Sequence, residues 1–340
     1  MNIPSNFVSG WVSDPHRVQD SILERAGRGE PVMGATFCLQ HAQELPGTWE
    51  RMKTRGCTGV FLRDREFVVR GKHRRPMLQR AGTCVSRGTC RGLQTSLDVA
   101  IADNLALLKS VELTFAPIYT LARHEVGKDR CGRGDGAILA DAMKAVHDFG
   151  VATTELFPGL TEDQVERLAV QYAAPGVGTP ANWLAACNLH TCVTFWPETL
   201  DLLCDCLAAG YAVPYAHSYI TGAPNSKGVS DLGLFGPHCR CFVGVFLDEN
   251  GETQLESSES WGRFPAGQPT DADQTMPVEQ IPCINLHYAG GVKKLAPGDV
   301  GVNAKRFWSQ IKSGGEAWAV GPPRFESLGI ADLTRKVQVI

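Results

Sequence analysis

No stretch of this chain stays apolar for long enough to span a bilayer. Its start, Met1-Asn2-Ile3-Pro4-Ser5-Asn6, lacks the basic-then-apolar pattern of a secretory signal. Export by a standard signal is therefore not expected, and synthesis in the cytoplasm is. Charge of one sign is also scarce. A net charge of -3 over 340 residues offers no electrostatic basis for nucleic-acid or membrane binding as the main activity. Internal repeats and low-complexity tracts are missing, which excludes a solenoid. The glycine-rich run Gly132-Arg133-Gly134-Asp135-Gly136 lacks Gly-Lys-Ser/Thr and follows no clear strand, so it reads as a turn and not as a phosphate loop.

What is present is an ordinary globular composition, 43% hydrophobic and 20% charged, with twelve cysteines. The length suits one large domain or two small ones. In a reducing cytosol the default for the cysteines is free thiols. A catalytic cysteine would leave eleven others, and a particle released by lysis would oxidise later, so the pairing stays open. Cys204-x-Cys206 and Cys239-x-Cys241 have only one residue between their cysteines. Structural zinc pairs use two to four, and the first pair falls on a predicted helix. No metal and no cofactor are expected.

The pattern changes along the chain. Residues 1–75 form an irregular lead-in with short apolar runs at Thr58–Leu62 and Phe67–Val69 that could be strands. Lys72-His73-Arg74-Arg75 reads as a solvated loop in preference to a nucleic-acid contact. Helical spacing of Leu93, Leu97, Ile101, Leu105 and Leu108 predicts a long helix from Ser86 to about Lys109. Further helices are predicted at about Gly136–Phe149, after the capping box Thr161-Glu162-Asp163-Gln164, and at Pro197–Ala209. From Tyr211 the reading turns to strands. Tyr211–Tyr215 is one, Cys239–Leu247 another, and Asp248-Glu249-Asn250-Gly251 turns into a third at Thr253–Ser257. Arg263–Pro282 reads as a loop, Val302–Ser313 as a helix and Glu316–Val320 as a strand. Helices first and strands later, without βαβ alternation, indicate α+β. The halves are expected at about 76–210 and 211–340.

Cys84 is the residue that points to chemistry. It stands immediately before the predicted long helix, where the helix dipole favours a thiolate. Gln79, five residues upstream, carries an amide that could donate to an oxyanion. His238 opens a later strand, and Glu259-Ser260-Trp261-Gly262 follows it. Cys239 and Cys241 point to the opposite face from His238. That alternation would turn the thiols to the core and leave His238 to a cleft.

These segments resemble the papain-like cysteine peptidases, and more closely the divergent branch found in bacteria and tailed-phage virions. Gly10-Trp11-Val12-Ser13-Asp14-Pro15 is similar to that branch's Gly-Trp-x-x-Asp lead-in, and Gly82-Thr83-Cys84-Val85 to its nucleophile segment. The stretch from Arg123-His124 to Glu155-Leu156-Phe157-Pro158 resembles its glycine-rich turn, helix and Glu-x-x-Pro run. Pro237-His238-Cys239 and Glu259-Ser260-Trp261-Gly262 resemble its histidine strand and Asn-Ser-Trp-Gly turn. The likeness implies a helical half packed on a β-rich half, with a cleft between them. It implies Cys84 as nucleophile, His238 as base, and Gln79 with the Cys84 N–H as oxyanion hole. Glu259 would orient the imidazole from the position where the family has Asn. Val85 stands where papains commonly have Trp, and Gln79 lies one residue nearer the cysteine than usual.

Other readings of the same residues stay open. Cys90, six residues on, is a rival thiol but falls inside the predicted helix, where burial is its expected role. His217 and His190 are alternative bases, and Glu259 could be a solvated turn acid. The functional expectation is a cysteine peptidase acting on a peptide or protein. The alternative is a tailed-phage virion component that keeps the fold as a scaffold and contacts other virion proteins.

Overall fold

The computed structural model describes residues 10–14, 16–17, 20, 45–77, 79–103, 110–190, 194–258, 277–281 and 283–325. The lead-in enters this framework early. Helix α1 (Thr48–Thr54) is followed by strand β1 (Gly59–Phe61) and helix α2 (Leu62–Arg70). α1 begins where Asp205 accepts the backbone N–H groups of Gly47 and Trp49, both at 2.8 Å. Phe67–Val69, read from the sequence as a possible strand, lies inside α2. Leu62, Arg63 and Glu66 form the buried face of that helix, while Val68 is 74% exposed. Three apolar residues in a row were too short to separate strand from helix.

The long helix α3 (Cys84–Ala102) starts on the cysteine itself. The predicted continuation through Leu105 and Leu108 lies outside the described residues. Helices α4 (Ala116–Leu121) and α5 (Leu139–Asp148) pack against it, α6 (Glu162–Tyr172) packs against α4, and α7 (Ala181–Ala186) follows. The capping box at the start of α6 is present, with Thr161 and Gln164 bonding each other's backbone N–H. Short strands β2 (Leu189–His190) and β3 (Thr194–Phe195) and helix α8 (Leu200–Ala208) lead into the β half.

Strand β4 (Val213–Pro224) runs well beyond the predicted Tyr215. It pairs antiparallel with β5 (Val229–Leu247), which pairs in turn with β6 (Thr253–Ser258). The hairpin between β5 and β6 is closed by Asp248, whose carboxylate accepts from the Asn250 and Glu252 N–H groups, with Gly251 at φ 78°. A small hairpin, β7 (Asn285–Tyr288) and β8 (Gly291–Lys294), precedes β9 (Asp299–Asn303). β9 pairs antiparallel with β6 and parallel with the first residues of β5, so the 19-residue β5 bends and the sheet closes upon itself. The predicted helix at Val302–Ser313 begins two residues later, as α9 (Ala304–Lys312). There Asn303 ends β9 and caps the helix by accepting from Arg306 N–H at 3.0 Å. The strand predicted at Glu316–Val320 divides at Trp318 into β10 (Glu316–Ala317) and β11 (Ala319–Val320), which pair with β4 and β3. β12 (Arg324–Phe325) pairs with β2.

Two glycines let α3 lie against the sheet. A methyl group on Gly88 would stand 2.9 Å from the Arg240 carbonyl oxygen, and one on Gly92 would stand 2.7 Å from Pro214 Cγ. The pair sits one helical turn apart on one face, and removing both side chains brings the helix axis close to β4 and β5. One core gathers on the helical side of this contact, with Val85, Leu93, Met143 and Val146; the other gathers within the β half, with Tyr215, Phe242, Val245 and Phe307.

Candidate active site

The turn before α3 is held from α6. Glu166, 2% exposed, accepts the Arg80 N–H at 2.9 Å, the Ala81 N–H at 3.3 Å and the Thr83 hydroxyl. Arg87, one turn into α3, bonds the Thr83 hydroxyl at 3.0 Å and pairs with Glu162 and Glu166. Gln79 lies at the start of this turn and is buried. A carboxylate taking two adjacent backbone N–H groups fixes the direction in which the chain enters the helix. The sequence reading missed this positioning role. The only signal was Glu166 on the inner face of a helix that otherwise turns its acids outward.

Cys84 is fully buried. Burial pushes its thiol up to about 11, while backbone N–H groups of Cys239, Gly10 and Val85 and the guanidinium of Arg240 draw it back down. The lead-in lies directly on the sulfur. A methyl group on Gly10 would stand 2.8 Å from Cys84 Sγ and 2.4 Å from the Gly82 carbonyl oxygen. Gly10–Val12 is pinned there by a parallel bridge to Ala137, with Val12 N–H donating to Ala137 at 3.0 Å and Ala137 N–H to Gly10 at 2.9 Å. Trp11 donates from its indole to Glu316 at 2.9 Å. Glu316 also accepts the Ala140 N–H at 2.8 Å in the first turn of α5, and its burial lifts its carboxyl to about 7. Glu316 escaped sequence reasoning although a lone carboxylate in an apolar strand was a visible signal.

The strand residue that reaches Cys84 is Cys239. It packs with Cys84 in the helical core, and its thiol is pushed well above its ordinary value, first by burial and then by Cys84. His238 precedes it on β5, opposite His217 on β4. By alternation it shares a face with Arg240 and not with Cys239. His238 is fully buried, so it does not face an open cleft as the alternation first implied. Its imidazole is held well below the ordinary range by burial, then by Arg240 and His217. Arg240 therefore acts in two directions, favouring a thiolate at Cys84 and opposing a charged ring at His238.

The rival residues are placed as follows. Cys90 is buried within α3 and pushed up to about 12 by that burial. His217 is 1% exposed, accepts the Tyr219 N–H through Nδ1 at 3.2 Å, and stacks on Tyr215. His190 lies on β2 opposite Arg324. Glu259 lies outside the described residues. The ten described cysteines are free thiols. Among the described residues, no group of three or more His, Cys, Asp or Glu side chains is placed to hold a metal ion, and no helix is long and apolar enough to cross a membrane.

With this geometry in hand, the comparison with solved structures identifies the architecture. The chain superposes on xylellain, a cysteine protease from Xylella fastidiosa, with a TM-score of 0.51 at 14% identity, over 95% of this chain and 94% of that one. It is also similar, at a TM-score of 0.47 in each case, to two proforms. Procathepsin B from Trypanosoma congolense is 10% identical, over 79% of this chain and 78% of that one. The ragweed pollen cysteine protease Amb a 11 is 13% identical, over 92% of this chain and 90% of that one. No family model and no curated protein matches the sequence. The fold is papain-like α+β.

Proposed function

We propose that the chain is a papain-like cysteine peptidase in which Cys84 is the nucleophile and His238 the base. The observation that carries this reading is the environment of the Cys84 sulfur. It stands at the first residue of α3, beside the backbone amide of Cys239, the residue next to His238. Helix start, N–H donors and a nearby guanidinium all favour negative charge on that sulfur. In the proposed reaction His238, which lies on the face of β5 opposite Cys239, must first turn to the sulfur; the Cys84 proton then passes to it and the sulfur attacks the substrate carbonyl carbon. The oxygen that gains charge is met by the Cys84 N–H and the Gln79 amide. His238 returns the proton to the leaving amine, and water then releases the acid from the acyl-enzyme. Glu259 would orient the imidazole, a role that rests on the sequence resemblance alone. Because Gly10–Val12 covers the sulfur, a substrate must displace that strand.

The test is hydrolysis of a peptide library by the full chain. Turnover that vanishes in both Cys84→Ala and His238→Ala supports the peptidase. A second reading, a papain-like scaffold in a tailed-phage virion, is favoured by the complete burial of both Cys84 and His238. The absence of turnover, together with stoichiometric recovery of the chain in purified particles, would establish that alternative.

A further inference from the structure

We propose that the chain binds a small organic phosphate in a cavity of about 710 Å³ beside the middle of α3. Neither Cys84, His238 nor Gln79 lines it. The volume lies within the range of about 300–1,000 Å³ typical of small-molecule sites. One wall is cationic. Arg70, Lys72, Arg74 and Arg75, from the segment that ends α2 and follows it, meet Arg91 of α3 there. The carboxylates on the wall are Glu112 and Glu162.

Those carboxylates do not match the cations. Arg70 and Arg74 share Glu112 and Asp98, and Glu162 is engaged by Arg87. Arg91 is left to Glu66, whose one carboxylate also serves Arg63 and Arg74. The separations are 3.4 Å from Arg63, 3.8 Å from Arg74 and 3.9 Å from Arg91, and Glu66 Oε2 accepts no hydrogen bond among the described residues. Arg91 is 4% exposed, donates from Nη2 to the Arg75 carbonyl at 3.2 Å, and has no hydrogen-bond partner for Nη1 among the described residues. A buried guanidinium with an unmet donor is costly, and burial draws its proton affinity down. Lys72 is exposed at the same wall and makes no ion pair among the described residues. An anion with several acceptor oxygens would satisfy both groups, and a planar guanidinium matches phosphate geometry.

The lining also has an apolar part, with Leu113, Phe115, Phe157, Leu160 and Val165. A bare inorganic anion would leave that surface wet. A phosphate ester with an apolar or aromatic body would cover it.

Isothermal titration of the full chain at constant ionic strength, with phenyl phosphate and with inorganic phosphate, tests the proposal. One saturable site per chain is expected, with phenyl phosphate binding several-fold tighter. Lys72→Gln should weaken both ligands several-fold. Leu160→Ser, at an exposed position, should weaken phenyl phosphate alone. Arg91→Lys keeps the charge and removes the fork, and should also weaken both. No saturable binding of either ligand, binding that Lys72→Gln and Arg91→Lys leave unchanged, or equal affinity for the two ligands would each overturn the proposal.

Discussion

Cys84 and Cys239 pack together in the helical core, joining the head of α3 to the strand residue that follows His238. This contact links the two halves of the fold. The lead-in closes over the Cys84 sulfur through Gly10. The thiol is therefore surrounded by groups that favour its ionised form while burial favours the neutral one, and burial wins.

That balance sets its reactivity. With the thiol pushed up to about 11, iodoacetamide should label Cys84 slowly at neutral pH. The rate should climb about tenfold per pH unit toward that value, as the thiolate fraction does. Labelling of Cys84 that levels off near neutral pH, followed by peptide mass spectrometry, would contradict the buried neutral thiol.

Uncovering the sulfur should speed that labelling. Gly10→Ala places a methyl group 2.4 Å from the Gly82 carbonyl oxygen, which the lead-in cannot accommodate in place. Cys84 in this variant should react at least about tenfold faster at neutral pH as its burial is relieved, while Cys90, deep in α3, should not. Equal rates in the variant and the parent would show that the lead-in does not guard the thiol.

Glu316 should make stability depend on pH. Its carboxyl is lifted from 4.5 to about 7 by burial, so between those values the folded chain holds a proton that the unfolded chain has released. Stability is therefore expected to fall as pH rises from about 4.5 to about 7, by roughly 3 kcal/mol, and this contribution should level off above that window. Thermal midpoints across this range should show the slope, and Glu316→Gln should flatten it.

The helix–sheet contact should not tolerate a methyl group. Gly88→Ala brings Cβ within 2.9 Å of both the Arg240 carbonyl oxygen and Cys239 Sγ. The cost is expected at about 1–3 kcal/mol, typical of overpacking. Chemical denaturation would measure it, and an unchanged midpoint would show that α3 does not press on β5 there.

Loss of the Glu166 carboxylate should loosen the turn before α3. Glu166→Ala leaves the Arg80 and Ala81 N–H groups without their acceptor and should destabilise the chain by about 2–3 kcal/mol. Hydrogen exchange at these two amides is the direct readout: retained protection in the variant would remove Glu166 from the positioning role.

Much of the architecture was legible because it follows from local rules. The leucines of α3, the capping box of α6, the Asp248–Gly251 turn and the β5–β6 hairpin all carry their signals within a few residues. The α2 segment was misread because Phe67–Val69 has no periodicity of its own; the buried Arg63–Glu66 face decides its conformation. Lys72–Arg75 read as a solvated loop because its partners, Asp98, Glu112 and Arg91, are distant in sequence.

By itself, the sequence determined the order of the elements, the α+β class and the place of Cys84 at a helix start. Each follows from side-chain period, caps and turn residues acting over one or two helical turns. Only the tertiary structure decided what surrounds that thiol. Gly10, Arg240 and Cys239 lie 74, 156 and 155 positions away in the chain, yet all three act on its charge. Burial and field depend on distance in space, and chain separation holds no record of that distance.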